Sequence, residues 1–183
     1  MLQLTTNEAV VKYLRGADIP SRVYSLTLPK MGRDDLRAWV TAASHPKTRG
    51  LWFYPEDVAT DDYFRSLDLF YLVAKELLLA EQSAGCFALM NWVDAVEAQD
   101  FRFQEYRFWF LADFYRQGLA CPLTAAQVHR LGWQLWEHIE KRQGKVIIHA
   151  EAALRGAAAW WPPSIVNLLH RHCVMVPVAV RGE

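Results

Sequence analysis

The segment of residues 101–116, FRFQEYRFWFLADFYR, constrains the fold most, because eight of its sixteen residues are aromatic. On a helix with 100° per residue, the aromatic residues other than Trp109, together with Leu111, spread over roughly three quarters of the circumference, far more than one amphipathic stripe. The opposite sector holds the polar residues Arg102, Glu105, Asp113 and Arg116, with Trp109 in their middle. Such a helix requires neighbours on several sides, so we predict that it lies at the centre of the molecule.

A strand is the alternative for the same segment. With a period of two, one face would mix Phe101, Phe103 and Trp109 with charged residues, so the strand pattern fits less well. Asp100 is a suitable N-cap and Gly118 is suited to a left-handed turn at the end of a helix. We therefore expect a central aromatic helix.

The remaining segments predict more helices than strands. Helical spacing of apolar residues is found in residues 33–43, 60–82, 89–96, 124–142 and 164–170. Residues 51–55, 145–149 and 174–180 are candidates for extended structure, as are residues 19–28. The predicted fold is mainly α, with α+β as the alternative: a helical, bundle-like body to which a small sheet of the strands 19–28 and 174–180 is added. With 183 residues, we expect a single globular domain over residues 1–183.

Charge is unevenly distributed along a chain whose formal net charge is zero. Residues 56–100 hold two basic and ten acidic side chains, a net charge of −8, whereas residues 101–183 hold ten basic and six acidic side chains, a net charge of +4. Acidic residues near helix N-termini explain part of the acidic segment, since the helix dipole favours them there. The alternative is an acidic surface that engages a basic, nucleic-acid-handling protein.

Three cysteines with no framework spacing indicate a reducing compartment without disulfides. The most apolar run, residues 69–80, contains Lys75 and Glu76 and is too short to span a bilayer. No amino-terminal signal pattern is visible. We expect a cytoplasmic protein with no membrane partner.

Sequence motifs of catalysis are absent from the chain. It contains no P-loop, dinucleotide fingerprint, HExxH sequence, nucleophile elbow or CxxC pair. We therefore expect no cofactor and no metal, and we interpret the protein as a non-enzyme.

Two tryptophans lie on polar helix faces in this interpretation, and Trp is enriched at binding hot spots. Trp109 groups with Arg102, Glu105 and Arg116. Trp133 groups with Arg130 and Glu137. We therefore predict a non-enzymatic protein-binding module that contacts another protein, or a second copy of itself, through these residues.

Two further functions remain open as alternatives. A nucleic-acid binder would use the basic residues of the C-terminal half, although these are too scattered to favour direct binding: Lys141, Arg142, Lys145, Arg155, Arg171 and Arg181. A small hydrolase or metalloprotein would use four other residues, although a second paired ligand cluster is missing: His149, Glu151, His170 and His172.

Overall fold

The fold is built on a parallel five-stranded sheet with helices on both faces. The computed structural model describes residues 7–28, 36–57 and 60–179. The strands are β1 (Gly50–Pro55), β2 (Ala84–Ala88), β3 (Phe108–Ala112), β4 (Lys145–His149) and β5 (Cys173–Val178). Their order in the sheet is β2-β3-β4-β1-β5, and every neighbouring pair is parallel.

In the described ranges, six α-helices accompany the strands: α1 (Asn7–Gly16), α2 (Leu36–Ala42), α3 (Thr60–Leu79), α4 (Leu89–Glu97), α5 (Ala125–Trp136) and α6 (Pro163–His172). Short 3₁₀ turns lie at Ser21–Val23, Arg102–Glu105 and Gly156–Ala159, and a π-helical turn, Glu137–Lys141, extends α5. Among the described helices, none is both long and apolar enough to cross a membrane.

The sheet separates two hydrophobic cores. Helices α1, α2 and α3 pack on one face, where Phe53, Phe110 and Ile147 are buried. Helices α4, α5 and α6 pack on the other face over Trp52 and Trp109. Because a parallel sheet is covered on both faces, its strands are apolar at consecutive positions.

The predicted central helix over residues 101–116 is wrong. The segment instead forms a 3₁₀ turn and then β3, at the second position of the sheet. Phe108, Phe110 and Ala112 point to the α3 face, and Trp109 and Leu111 to the opposite face. Since both faces are buried, the segment lacks the polar alternation that identifies a half-exposed strand. The mainly α fold class is therefore corrected to α/β.

The predicted sheet of residues 19–28 with 174–180 is also wrong. The first segment contains only a 3₁₀ turn, and the Lys75 ammonium binds the carbonyls of Val23, Tyr24 and Leu26 at 3.4, 3.1 and 2.5 Å. These carbonyls are thus hydrogen-bonded without a partner strand. The terminal strand does form as β5, but it pairs with β1, with Leu51 beside Val174. Residue 180 lies outside the described residues.

Several local predictions are confirmed. Residues 51–55 and 145–149 are strands, and α3, α4 and α6 match the predicted helices closely. Thr124 caps α5 in a capping box, since its hydroxyl accepts the Gln127 N–H at 3.3 Å and the Gln127 side chain accepts the Thr124 N–H at 2.8 Å. The predicted helix 33–43 is present as α2, and its residues 33–35 lie outside the described residues.

Candidate functional site

The carboxyl ends of the strands define the candidate site. The helix that follows β1, α3, packs on one face of the sheet, whereas α6, which follows β4, packs on the other. The two connections therefore diverge between β1 and β4, and crevices at such a switch point are where open α/β sheets bind ligands. We call the polar residues at this edge the carboxyl-edge site: Glu56, Asp57, Tyr63, Ser66, Asp113, Arg116, His149 and Glu151.

Asp113 follows β3 directly and has a positive φ of 55°. Aspartate tolerates this left-handed conformation better than most residues. Its Oδ1 atom accepts a hydrogen bond from the Tyr63 hydroxyl at 3.1 Å. Burial, and then the charge of Asp113, raise the pKa of Tyr63 to about 12, so the phenol stays protonated and keeps donating. The pair connects the end of β3 to the first turns of α3.

His149 ends β4 and is completely buried, as is Ser66 of α3. The Ser66 hydroxyl donates to the Tyr63 carbonyl at 2.8 Å. Because a hydroxyl has only one proton, the Nε2 atom of His149 must be the donor in its 2.9 Å contact with Ser66 Oγ. Burial lowers the pKa of His149 to about 3, so the ring is neutral and Nδ1 is an unprotonated acceptor without a partner among the described residues.

A serine and a histidine at this distance resemble a nucleophile and its base. Neither atom is accessible to a substrate, however, since both Ser66 and His149 have 0% relative exposure. No carboxylate orients Nδ1 either, within the described part of the chain. The Ser66–His149 pair therefore holds α3 against the end of β4 and does not form a hydrolytic centre.

Arg116 and Glu151 form the exposed rim of the site. Arg116 Nε donates to Glu151 Oε1 at 3.0 Å, and the Gln117 backbone N–H donates to Glu151 Oε2 at 2.9 Å. The hydrogen bond to Glu151 is also the main reason why the pKa of Arg116 is raised. Backbone bonds from Phe114 to His149 and from Glu151 to Tyr115 keep the loops after β3 and β4 together.

The connection from β1 to α3 is acidic. Glu56 and Asp57 are exposed directly after β1, and the Glu56 N–H donates to the Val178 carbonyl at 2.9 Å. Asp61 and Asp62 follow in the first turn of α3. The connection has the sequence Pro55-Glu56-Asp57-Val58-Ala59, with neither glycine nor lysine. A helix N-terminus usually attracts anions, but carboxylates at this position repel them, so the residues present do not fit a polyphosphate.

The first predicted binding surface is not assembled. Trp109, predicted to be exposed, is 1% exposed in the interior, because it is a residue of a central strand. Its ring stacks on His138 with centroids 3.8 Å apart. Arg102 lies before β3 and pairs with Asp100, whereas Arg116 follows β3 and pairs with Glu151. Glu105 is exposed beside Arg102, on the amino side of the strand.

The second predicted surface has the expected exposure. Trp133 is 52% exposed on α5 and lies beside Trp136, with ring centroids 4.9 Å apart. Arg130 is exposed on the same helix, and Glu137 pairs with Arg142 at 3.5 Å. The binding role of Trp133, Arg130 and Glu137 stays a prediction.

The four residues predicted for a metal or hydrolase site are divided between opposite edges of the sheet. His149 and Glu151 lie at the carboxyl edge, whereas His170 and His172 end α6 at the amino side of β5. A five-residue strand rises about 3.3 Å per residue, so more than about 10 Å separates the two pairs. No cluster of three metal ligands occurs among the described residues.

The charged segments are also distributed over several surfaces. Within the acidic segment 56–100, Asp68 pairs with Arg22 at 2.6 Å and Glu97 accepts a hydrogen bond from Gln127 at 2.6 Å. Among the basic residues of the C-terminal half, Arg142 and Arg171 pair with Glu137 and Glu140. Arg181 lies outside the described residues.

Sequence reasoning missed Asp113 and its partner Tyr63. It placed Asp113 only in the polar sector of the predicted helix. The useful pattern is the uninterrupted apolar run of β3 followed at once by an acid, because the carboxyl end of a buried parallel strand is where functional side chains gather.

Comparison with known proteins identifies the fold class. No protein-family model matches the sequence, and no curated protein matches it. The structure is similar to the crystal structure of DnaI, with 12% identity and a TM-score of 0.61, over 90% of this chain and 92% of that one. It is also similar to the DnaC helicase loader, with 12% identity and a TM-score of 0.62, over 87% of this chain and 99% of that one.

AMPPCP-bound DnaA from Aquifex aeolicus is a third similar structure, with 8% identity and a TM-score of 0.59, over 87% of this chain and 51% of that one. The chain thus has an α/β fold similar to those of DnaC, DnaI and DnaA. This finding overturns the hypothesis of a helical, non-enzymatic binding module, because the similar structures are α/β proteins, namely DnaI, the DnaC helicase loader and DnaA.

Proposed function

We propose that this chain is a DNA-replication-initiation protein of the helicase-loader type. The observation that carries the proposal is the length of the structural match: the similarity extends over 92% and 99% of the DnaI and DnaC chains but over 51% of DnaA. A common fold alone does not fix function. A match over nearly the whole of two such chains favours the loader type over the initiator.

The proposed partner is therefore a protein, the replicative DNA helicase, and the proposed location is the cytoplasm. The surface that we assign to this contact surrounds Trp133. The groove between α5 and α6 has a volume of about 540 Å³ and is lined by Trp133, Trp136, Ile165 and Leu168 among others. A half-exposed Trp beside an apolar groove with a charged rim has the composition of an interface hot spot.

Lys141, beside the two tryptophans, and Arg171, a lining residue, give this groove a basic rim. Lys141 Nζ lies 5.6 Å from the Trp133 ring and 5.3 Å from the Trp136 ring. This cation–π contact fixes the orientation of the indole ring before a partner arrives. A preorganised anchor loses little side-chain entropy on binding.

The residues of the β1–α3 connection do not support nucleotide binding. The similar DnaA structure holds the nucleotide analogue AMPPCP. In this chain, Glu56 and Asp57 occupy the β1–α3 connection, and neither glycine nor lysine is present to receive phosphates. The carboxyl edge is therefore not proposed as a nucleotide-binding site.

The experiment mixes the purified chain with the replicative helicase of the same cell and measures the mass of the complex by light scattering after size exclusion. A second readout is delivery of the helicase onto single-stranded DNA coated with single-strand-binding protein. We expect a complex and altered delivery. The absence of both effects with the wild-type chain contradicts the proposed function.

The variant Trp133→Ala tests the assigned surface. Its matched control is Phe64→Ala on α3, since Phe64 is also 52% exposed. We expect at least tenfold weaker helicase binding for W133A, consistent with the loss of a hot-spot side chain, and unchanged binding for F64A. If W133A binds the helicase as tightly as the wild type does, the contact lies on another surface, and the helicase remains the proposed partner.

A further inference from the structure

The amino edge of the sheet, opposite the carboxyl-edge site, is basic. Arg107 directly precedes β3, Lys145 begins β4 and Arg49 directly precedes β1. These three strands are neighbours in the order β3-β4-β1. Since adjacent strands are about 4.8 Å apart, the three cationic residues start from backbone positions within about 10 Å of one another. Lys47 lies two residues before Arg49 and adds a fourth cation.

These four cations have no acidic partners among the residues that the structure describes. In the described part of the chain, none of Lys47, Arg49, Arg107 and Lys145 forms an ion pair, whereas Arg22, Arg102 and Arg116 each do. Like charges are grouped here without neutralisation, which is unfavourable unless an anion binds.

Backbone carbonyls bind part of three of the four cationic heads, those of Arg49, Arg107 and Lys145. Lys145 Nζ donates to His45 O at 2.6 Å and Thr48 O at 2.5 Å. Arg49 donates to the carbonyls of His170 and Cys173, both at 2.6 Å. Carbonyls are neutral, so they fix the positions of the cations without cancelling their charge. An ammonium has three donors and a guanidinium five, so donors remain for a ligand.

The pKa of Lys145 is lowered, first by burial and then by the charge of Arg107. This direction is expected where cations accumulate, because a positive neighbour disfavours the protonated amine. An anion in contact with Lys145 favours the protonated amine and therefore acts in the opposite direction on its pKa.

A depression at this edge has the size of a small ligand. It has a volume of about 210 Å³ and is lined by Lys47, Arg49, Gln143 and Lys145, among others. A water molecule occupies about 30 Å³ of liquid, so the depression has room for a tetrahedral oxyanion and several waters. His172, which also lines the depression, contacts the carboxylate of Glu140 at 3.1 Å. Glu140 is already paired with Arg171 at 3.5 Å.

We propose that this amino-edge pocket binds a phosphate-type oxyanion through Lys47, Arg49 and Lys145. The oxyanion is either free phosphate or a phosphate group of a nucleic-acid backbone, since both offer the same acceptor oxygens to cationic donors. The pocket lies at the edge of the sheet opposite the acidic β1–α3 connection. It does not depend on the proposed helicase contact.

The test uses Lys47→Glu, because Lys47 is exposed and its ammonium makes no hydrogen bond among the described residues. The matched control is Lys12→Glu, an identical charge change at an exposed position of α1. Inorganic phosphate is titrated by calorimetry at low salt, and a fluorescent thymidine oligonucleotide by anisotropy. Circular dichroism verifies that both variants fold.

We expect the wild type and K12E to bind at least one probe, and K47E to bind it at least tenfold more weakly. Binding of phosphate identifies the free ion as sufficient, and binding of the oligonucleotide alone identifies a phosphodiester. The inference is overturned if the wild type binds neither probe, or if K47E binds as tightly as K12E.

Discussion

The Nε2 atom of His149 lies 2.9 Å from the Oγ atom of Ser66, and neither side chain is exposed to solvent. The contact joins the last residue of β4 to the second turn of α3 across the switch point of the sheet. The ring is neutral, because burial lowers its pKa to about 3. A proton on Nδ1 would be a buried charge without a partner, so the contact depends on pH.

The first prediction concerns acid stability. The folded-state pKa of His149 is about 3 and that of His138 is about 4, both lowered mainly by burial. Both lie below the unfolded value of about 6.5. Between pH 6.5 and about 3, the unfolded chain therefore binds protons that the native chain does not, so stability is present above pH 6.5 and is lost as the pH falls. At pH 5 we expect a loss of about 2 kcal/mol for each histidine.

Urea denaturation at pH 7.5 and pH 5 measures this loss. The variant His149→Phe removes one titrating group and should reduce the difference between the two pH values by about half. His129→Phe is the control, since His129 is exposed on α5. An H149F variant with the same pH dependence as the wild type contradicts the assignment.

The second prediction concerns the Tyr63–Asp113 hydrogen bond. Tyr63→Phe removes the hydroxyl that donates to Asp113 Oδ1 at 3.1 Å. A hydrogen bond to a charged acceptor contributes about 1.5–3 kcal/mol, so we expect a destabilisation of about 1–2 kcal/mol for this partly exposed pair. Tyr71→Phe is the control, because the Tyr71 hydroxyl has no hydrogen-bond partner in the described chain. Equal unfolding free energies for the two variants contradict the prediction.

The third prediction compares the two tryptophans that were both predicted to lie on polar helix faces. Trp109 is 1% exposed and packs against Trp92, Phe103 and His138. Trp109→Ala should therefore destabilise the fold by about 3–5 kcal/mol. Trp133 is 52% exposed, and Trp133→Ala should change stability by about 1 kcal/mol or less. Chemical denaturation of both variants measures the difference, and similar losses contradict the assigned positions.

These two tryptophans also show what the sequence could predict. Helix α5 carries an amphipathic pattern and a capping box, so both its start and the exposure of Trp133 were predictable. Trp109 belongs to a strand that is buried on both faces. Its surroundings contain no polar alternation, and period alone cannot separate such a strand from a buried helix. The same limit applies to β2, which is not among the predicted strands.

The candidate site was less predictable than the fold. Tyr63, Asp113 and His149 are 50 and 36 residues apart along the chain, and only the strand order brings them together. Local spacing contains no information about that order. Acidic residues of the segment 56–100 were predicted near helix N-termini, and Asp61 and Asp62 do lie in the first turn of α3. The position of Glu56 and Asp57 at the switch point followed only from the order of the parallel strands.

The last prediction concerns which of the two edges of the sheet binds a single ligand, AMPPCP. At the carboxyl edge, Glu56 and Asp57 repel a triphosphate, so we expect no saturable binding there. At the amino edge, Lys47 and its neighbours attract phosphate oxygens. Any AMPPCP that binds at low salt should therefore be displaced by inorganic phosphate and be lost in Lys47→Glu. Calorimetry of K47E and of Asp57→Lys measures this. If K47E retains AMPPCP binding and D57K strengthens it, the nucleotide is held at the carboxyl edge in spite of its charge, and the electrostatic assignment of both edges is wrong.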